Sequence, residues 1–292
     1  MRSKEIQRVH TAGHNPSINR LRSILNELGR VMVAYSGGVD SSFLLFFAVD
    51  VLGPDSVSAV TVHSPLLSEG EAEEALALAR SRGVSVRSVY LDPLADDGVV
   101  RNRPDRCYIC KKLIFSHLVD QALNIGVAWV LDGTNSDDSD GYRPGTRALE
   151  ELGVRSPLRE AGLSKMEIRT ECRKMELPNW NRPSSPCLAT RFPYGDPLSF
   201  EGLRMADRGE RFLKEEGFDI VRLRIHGKVA RIEIPVDRAA DLVSEDSRER
   251  VVASLKEIGF QHVTFDLEGF RSGSMDEALS QETGDSNQKK TF

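Results

Sequence analysis

Long apolar runs are missing from this 292-residue chain. Its uninterrupted apolar stretches, such as residues 43–49, fall far short of the roughly 18–20 residues that a membrane-spanning helix needs. A basic excess is missing too. Lys and Arg number 39 against 44 Asp and Glu, for a net charge of -5, and a general nucleic-acid binder would carry the opposite balance. Cysteines number only four, too few for a disulfide scaffold, and a chain of this length buries a core without covalent staples. Residues 1–7 contain no apolar h-region, so no secretory signal is expected and the thiols should be reduced. A soluble, cytoplasmic protein is the expectation. The length predicts two domains at about 150 residues each.

Periodicity supplies the elements. Ile18, Leu21, Leu25 and Leu28 share one helical face over 17–28, and Gly29 stands where a C-terminal cap belongs. Residues 30–35 read as a buried strand, 36–40 as a glycine-rich turn, and 41–52 as an apolar helix closed by Gly53 and Pro54. A strand at 57–63 precedes a helix over 68–82, which a capping box of Ser68 and Glu71 should open and Gly83 should stop. A strand at 84–91, a helix at 110–124 and a strand at 127–131 follow. Strands alternating with helices predict an α/β fold, a doubly wound parallel sheet, filling a first domain over 1–196. Within it, 137–145 reads as a polar loop and 165–175 as a helix, while 178–197 holds five prolines and reads as an ordered loop or connector. From residue 200 the pattern is helix, strand (220–225), turn at Gly227, strand (229–234), helices and a last strand near 262–267. That predicts a smaller α+β domain over 197–271, followed by a polar tail, 272–292, expected to be disordered.

The hexapeptide Ser36-Gly37-Gly38-Val39-Asp40-Ser41, followed by Ser42, lies between a hydrophobic strand and a helix. Two glycines allow the backbone to approach a ligand with its amide N–H groups turned inward, and the next helix adds its N-terminal dipole. Asp40 beside such a polyanion site suits Mg²⁺ bridging phosphates. An ordinary strand-to-helix turn is the competing reading. No Gly-Lys-[Ser/Thr] follows, so this is not a Walker A loop. It resembles the PP-loop of the ATP pyrophosphatase superfamily, which cleaves ATP between its α and β phosphates. A second segment, Asp132-Gly133-Thr134-Asn135, ends a later strand on the side of the sheet where ligands of open α/β folds bind. Asp132, Gly133 and Asn135 join the candidate nucleotide site.

Cys107 and Cys110 form a CxxC at the start of a helix, flanked by Arg106 and Lys111, and Cys187 lies in a proline-rich stretch ending at Arg191. The helix N-terminus and the basic neighbours favour thiolates. Cys172, beside Met166, Met175 and Leu177, reads as a buried apolar residue. Structural zinc, a redox dithiol, a three-thiolate iron–sulfur cluster and unpaired buried thiols all compete for the other three. Zinc lacks an obvious fourth ligand, and a dithiol leaves Cys187 unexplained.

Taken together these motifs resemble one family, the LarE-type ATP-dependent sulfur transferases of nickel-pincer nucleotide synthesis, which serve lactate racemase maturation. The likeness runs over roughly 21–267. It rests on the PP-loop hexapeptide, Arg106-Cys-Tyr-Ile-Cys-Lys111, Asp132-Gly-Thr-Asn-Ser-Asp-Asp138 and Tyr142-Arg-Pro-Gly145. It continues through 156–169, 183–195, Arg222-Leu-Arg-Ile-His-Gly227 and Ala230-Arg-Ile-Glu233. The resemblance implies adenylylation of a carboxylate of pyridinium-3,5-dicarboxylate mononucleotide, then its conversion to a thiocarboxylate, twice over. In one branch of the family the cysteine matching Cys187 gives up its own sulfur; in the other, three cysteines hold a [4Fe-4S] cluster. Because the chain has Cys107, Cys110 and Cys187, the resemblance implies the cluster branch, with Cys187 and Asp40 expected as catalytic residues and ATP, Mg²⁺ and the cluster as expected cofactors. The resemblance also implies that Arg222 and Arg224, with Glu210, take the substrate phosphate; a solvated strand face is the plain alternative.

The expected partners are the small mononucleotide, a sulfur donor of unspecified kind and further copies of the chain as a homo-oligomer, with neither membrane nor nucleic acid among them. Two other functions compete: a PP-loop tRNA thiolase with an iron–sulfur cluster, and a non-catalytic nucleotide or metal sensor.

Overall fold

A computed structural model describes residues 15–139 and 144–271. The opening residues, Tyr142 and Arg143 of the family motif and the tail 272–292 lie outside the described residues. In chain order the elements of the first half are α1 (Pro16–Leu28), β1 (Val31–Ala34), α2 (Val39–Leu52), β2 (Val57–His63), α3 (Glu71–Ser81), β3 (Val86–Tyr90), α4 (Asp97–Val100), α5 (Arg106–Asn124) and β4 (Trp129–Leu131). Then come α6 (Pro144–Glu151), α7 (Pro157–Glu160), α8 (Lys165–Lys174), α9 (Phe200–Glu215), β5 (Arg222–His226), β6 (Val229–Glu233), α10 (Ala239–Val243), α11 (Glu245–Ile258) and β7 (His262–Phe265).

The first four strands form one parallel sheet in the order β3-β2-β1-β4. Residues on β1 alternate between two cores. Val31 and Val33 pack with α1, α2 and Cys172, whereas Met32 packs with Leu118 and Ala122 of α5. Both faces are covered by helices, which is the doubly wound α/β arrangement expected. Residues Ser41 through Ala48 of α2 are all buried, as a helix apolar on every side must be. The second sheet has the order β5-β6-β7: an antiparallel hairpin, Arg222 opposite Glu233, extended by a parallel β7. The core beneath it includes Leu203, Leu213, Leu223, Ile232 and Leu255, together with Leu66, Val99 and Leu188 from earlier in the chain. No helix among the described residues is long and apolar enough to cross a membrane.

Three of the boundaries that differ from expectation bear on the site. Helix α2 begins at Val39, so Asp40 and Ser41 ride its first turn. Helix α5 begins at Arg106, which puts both cysteines of the CxxC in its first two turns. The capping box at Ser68 does not form. Helix α3 starts at Glu71 behind a left-handed Gly70, because the Ser68 hydroxyl is bonded to Asp207 of α9 and Glu71 accepts from Ser185. The reciprocal box appears instead on α8, between Ser164 and Glu167.

Candidate active site

The PP-loop residues and the β4 loop meet over one cleft of about 440 Å³ at the carboxyl edge of the parallel sheet. Ser41 Oγ stitches the loop shut, lying 3.0 Å from Ser36 Oγ, accepting from Ser36 N at 3.2 Å and donating to Gly38 O at 3.2 Å. Gly37 has φ +75° and lies against Ala75 of α3. Gly133 packs on the first turn of α2 so closely that a Cβ there would stand 3.0 Å from Ser41 N. Ser36, Gly37, Gly38, Val39, Asp40, Ser41, Asp132 and Gly133 all line the cleft. Ser42 is buried beneath it, holding the Asn179 amide at 2.9 Å. Asn135 is also buried, its side chain accepting from Asp137 N at 2.9 Å.

The two aspartates differ. Asp132 is satisfied by hydroxyls, accepting from Ser156 at 2.6 Å and from Thr134. Asp40 has one oxygen, Oδ2, ion-paired with Lys165, while Oδ1 is buried with no hydrogen-bond partner among the described residues. Burial pushes its carboxyl above the ordinary range, against the pull of Lys165. A buried carboxylate oxygen left without a partner suits a hard divalent cation.

From the same cleft a single loop runs to the cysteines. Pro183, Ser184 and Ser185 line the cleft; two residues on, Cys187 caps a one-turn 3₁₀ helix, Leu188–Arg191. The loop is pinned across the start of α5: Arg106 reaches Ala189 O at 3.4 Å, Asn102 Nδ2 donates to Pro193 O at 2.7 Å, and Gly195 N donates to Asn102 O at 3.0 Å.

Cys107, Cys110 and Cys187 are free and half-buried, while Cys172 is buried beneath α2 with its thiol pushed up to about 12, chiefly by burial. Burial likewise pushes the Cys110 thiol up to about 12 and raises that of Cys187, each thiol feeling the negative charge of its neighbours. Arg106, itself buried, donates toward Cys107 Sγ at 3.7 Å. Among the described residues no three His, Cys, Asp or Glu side chains converge tightly enough to hold one metal ion, so a mononuclear zinc finds no ligand set there. Cys107, Cys110 and Cys187 are near enough to interact electrostatically with one another and with the buried Arg106, and thiolates are the donor type that iron–sulfur centres use.

The predicted phosphate-binding residues lie on the other side of this loop. Arg222 has no carboxylate partner among the described residues; it donates to Ser184 O at 3.2 Å and Val221 O at 2.8 Å, and burial lowers its pKa. Arg224 is paired with Glu233 through Nε at 3.0 Å and Nη2 at 2.9 Å. Glu210 is taken by Arg191, through Nε and Nη2 at 2.8 Å each, and by the Leu223 amide at 3.0 Å. The structure therefore puts Arg222 and Arg224 against the same loop, with Arg222 the one of the two that lacks a carboxylate.

Comparison with known proteins bears on what this arrangement serves. The sequence profile described as NAD synthase matches residues 16–98, the stretch from α1 through the PP-loop and on to α4. The pyridinium-3,5-bisthiocarboxylic acid mononucleotide synthase of Lactiplantibacillus plantarum is 43% identical over 261 residues, 89% of this chain and 94% of that protein. The chain belongs to this LarE-type family. An uncharacterized protein of Synechocystis is 40% identical to the LarE-type chain over 263 residues, covering 90% of it and 98% of the relative. Another, from Methanocaldococcus jannaschii, is 29% identical over 243 residues, covering 83% and 91%.

Of the residues that complete this LarE-type site, Asn179 is not singled out by the sequence, and Lys165 and Arg191 lie in family motifs without an assigned role, while Glu210 is expected at the substrate phosphate. Lys165 reaches Asp40 from the start of α8. Asn179, just past α8, donates to Gly37 O at 2.9 Å and so fixes the PP-loop from behind. Glu210 and Arg191, 19 residues apart, meet only because α9 packs on the Cys187 turn. Pro178 just before Asn179, and the five prolines of this stretch, are the available hints that it is ordered.

Proposed function

We propose that this chain is an ATP-dependent sulfurtransferase that adenylylates pyridinium-3,5-dicarboxylate mononucleotide and converts its carboxylates to thiocarboxylates for the nickel-pincer nucleotide. The observation that carries the reading is the continuity of one loop: Pro183 to Ser185 line the PP-loop cleft, and Cys187 follows beside Cys107 and Cys110. A carboxylate oxygen of the substrate attacks the α-phosphorus of ATP and pyrophosphate leaves. Sulfur then adds to the acyl carbon, and AMP departs with the original carboxylate oxygen; a second round treats the other carboxylate.

The chain's own groups divide this work. The amides of the PP-loop and the α2 N-terminus bind the triphosphate. Asp40, through its unpartnered Oδ1, would hold Mg²⁺ against the departing pyrophosphate. Asp132, Gly133 and Asn135 shape the opposite wall, and Arg222 offers its guanidinium to the substrate phosphate. Cys107, Cys110 and Cys187 would hold a [4Fe-4S] cluster, which when bound supplies an open iron able to carry the sulfide used in the reaction. The PP-loop part, 1–196, then acts as the ATP unit and 197–271 as the sulfur-transfer unit. A homo-oligomer in the cytoplasm, reloaded by a separate sulfur donor, completes the proposal.

A tRNA thiolase needs a basic, salt-sensitive surface. The arginines of the second unit are largely spent on ion pairs instead, Arg204 and Arg211 with Glu69, Arg231 with Glu233 and Asp266. ATP–pyrophosphate exchange measured with the dicarboxylate mononucleotide, with bulk tRNA and with neither separates the readings. Exchange that depends on the mononucleotide supports the proposal; dependence on tRNA, or none at all, refutes it. Anaerobic reconstitution should give about four irons per chain, lost on Cys107→Ala, Cys110→Ala or Cys187→Ala and kept on Cys172→Ala. Turnover without iron, with loss of one sulfur and two hydrogens from Cys187, would refute the cluster.

A further inference from the structure

The turn that carries Cys187 is held by an arrangement that the sequence motifs do not assign. Arg191, Glu210, Arg224 and Glu233 are each 4% exposed or less. Glu210 takes two nitrogens of the Arg191 guanidinium fork, while Glu233 accepts from Arg224 Nε through Oε1 and faces Nη2 through Oε2 at 2.9 Å as an ion pair without a hydrogen bond. In both pairs the remaining nitrogen, Nη1, points at the turn. Arg191 Nη1 donates to Pro186 O at 2.8 Å, to Cys187 O at 3.3 Å and to Thr190 Oγ1 at 2.9 Å. Arg224 Nη1 donates to Thr190 O at 2.6 Å. The two arginines thus grip carbonyls at the start and the end of the turn.

We propose that Arg191–Glu210 and Arg224–Glu233 form a two-point clamp that fixes the backbone around Cys187 relative to the nucleotide cleft, so that these four residues position the sulfur centre and do not bind the substrate phosphate. The inference rests on the sulfurtransferase reading for its consequence in the reaction, though the clamp itself is a property of the resting fold.

Burial of four charges around one short turn is a poor route to stability, since apolar residues of like volume usually do as well or better. What ion pairs supply and apolar packing does not is direction. A guanidinium locked by a bidentate carboxylate cannot rotate, so its remaining N–H groups aim at fixed points. The turn gains from such aim because its own backbone bonding is short-range, Thr190 N to Cys187 O at 2.9 Å and Phe192 N to Ala189 O at 3.3 Å, with one bond outward, Leu188 N to Leu66 O, in the loop after β2, at 2.8 Å. Both anchoring glutamates belong to the C-terminal unit, Glu210 on α9 and Glu233 on β6. The small unit therefore sets the place of a sulfur that must reach a carbon activated on the large one.

The test is the paired replacement Arg191→Met with Glu210→Leu, which removes both charges together and leaves neither buried alone. Unfolding temperature, amide exchange at Leu188 and Thr190, pyrophosphate release and thiocarboxylate formation are compared with the unaltered protein. The clamp predicts a folded variant in which exchange at those two amides rises about tenfold or more. It also predicts that pyrophosphate release and the mononucleotide KM change little while sulfur transfer falls about a hundredfold, the scale of a misplacement near 1 Å. A raised KM with the sulfur-transfer kcat retained would return Glu210 to phosphate binding and overturn the proposal. Equal losses in both stages would mean a merely structural pair, and unchanged exchange would also overturn it. If the unaltered protein releases no pyrophosphate with the mononucleotide, the functional reading fails, and exchange at Leu188 and Thr190 still decides the clamp. Should the double variant not fold, Arg191→Lys, which keeps the charge and loses the fork, is judged by the same exchange and stage-resolved readouts.

Discussion

Replacing Gly37 by alanine tests whether the PP-loop is held by backbone geometry and close packing together. Gly37 lies at φ +75°, and a Cβ there would stand 2.6 Å from Ala75 Cβ and 3.1 Å from Ala75 Cα. A left-handed backbone costs a non-glycine residue about 1–2 kcal/mol. The contact is with helix backbone and its Cβ, which cannot swing aside, so overpacking adds about 1–3 kcal/mol. The sum, about 2–5 kcal/mol, lowers Tm by roughly 4–20 °C at about 2–4 °C per kcal/mol. Either α3 or the loop must give way, and displacement of the loop also weakens Mg·ATP binding. Thermal unfolding with calorimetric titration of Mg·ATP reads both effects. Gly38→Ser is the matched control: Gly38 has φ -68°, its nearest neighbour for a Cβ is Ser36 Oγ at 3.4 Å, and serine suits the N-cap of α2. A Tm for Gly37→Ala within about 2 °C of the unaltered protein, or an equal loss in the control, would refute the reasoning.

Three further outcomes are expected. Asp40→Ala should abolish mononucleotide-dependent pyrophosphate release while leaving a folded protein by circular dichroism; release near the unaltered rate would remove Asp40 from the site. Arg222→Ala should raise the mononucleotide KM roughly ten- to a hundredfold, the effect of losing a charged hydrogen bond at about 1.5–3 kcal/mol, and an unchanged KM would leave it an ordinary strand residue. The Cys172 thiol is held up to about 12 in the fold by burial, so the folded chain keeps that proton more tightly than the unfolded one. Its contribution is intact below the ordinary thiol range and lost as pH rises toward about 12; denaturant titrations of Cys172→Ala should show a shallower alkaline decline than the unaltered chain, and identical slopes would contradict this.

The parallel sheet and its helices were legible in the sequence because their causes are local. Alternation of buried strand and amphipathic helix needs only the residues of each segment, and Gly29, Gly53 and Gly83 mark the ends where expected. The PP-loop was legible for the same reason: six neighbours, with two glycines, define the turn. Misreadings occurred where a local partner had a distant competitor. Ser68 has the spacing of a capping box, yet Asp207, 139 residues away, takes its hydroxyl.

The sequence by itself determined the strand–helix order, the PP-loop and the three cysteines that stand apart from Cys172. Tertiary structure decided which groups those residues face. Lys165 reaches Asp40 across 125 residues, Asn179 reaches Gly37 across 142, and Glu210 and Glu233 draw Arg191 and Arg224 away from solvent and onto the Cys187 turn. A charged residue on an isolated strand reads as solvated or as a ligand for substrate. Once two sheets dock and exclude water, each buried charge must find an opposite charge or a carbonyl, and the identity of that partner is fixed by the packing of elements far apart in the chain.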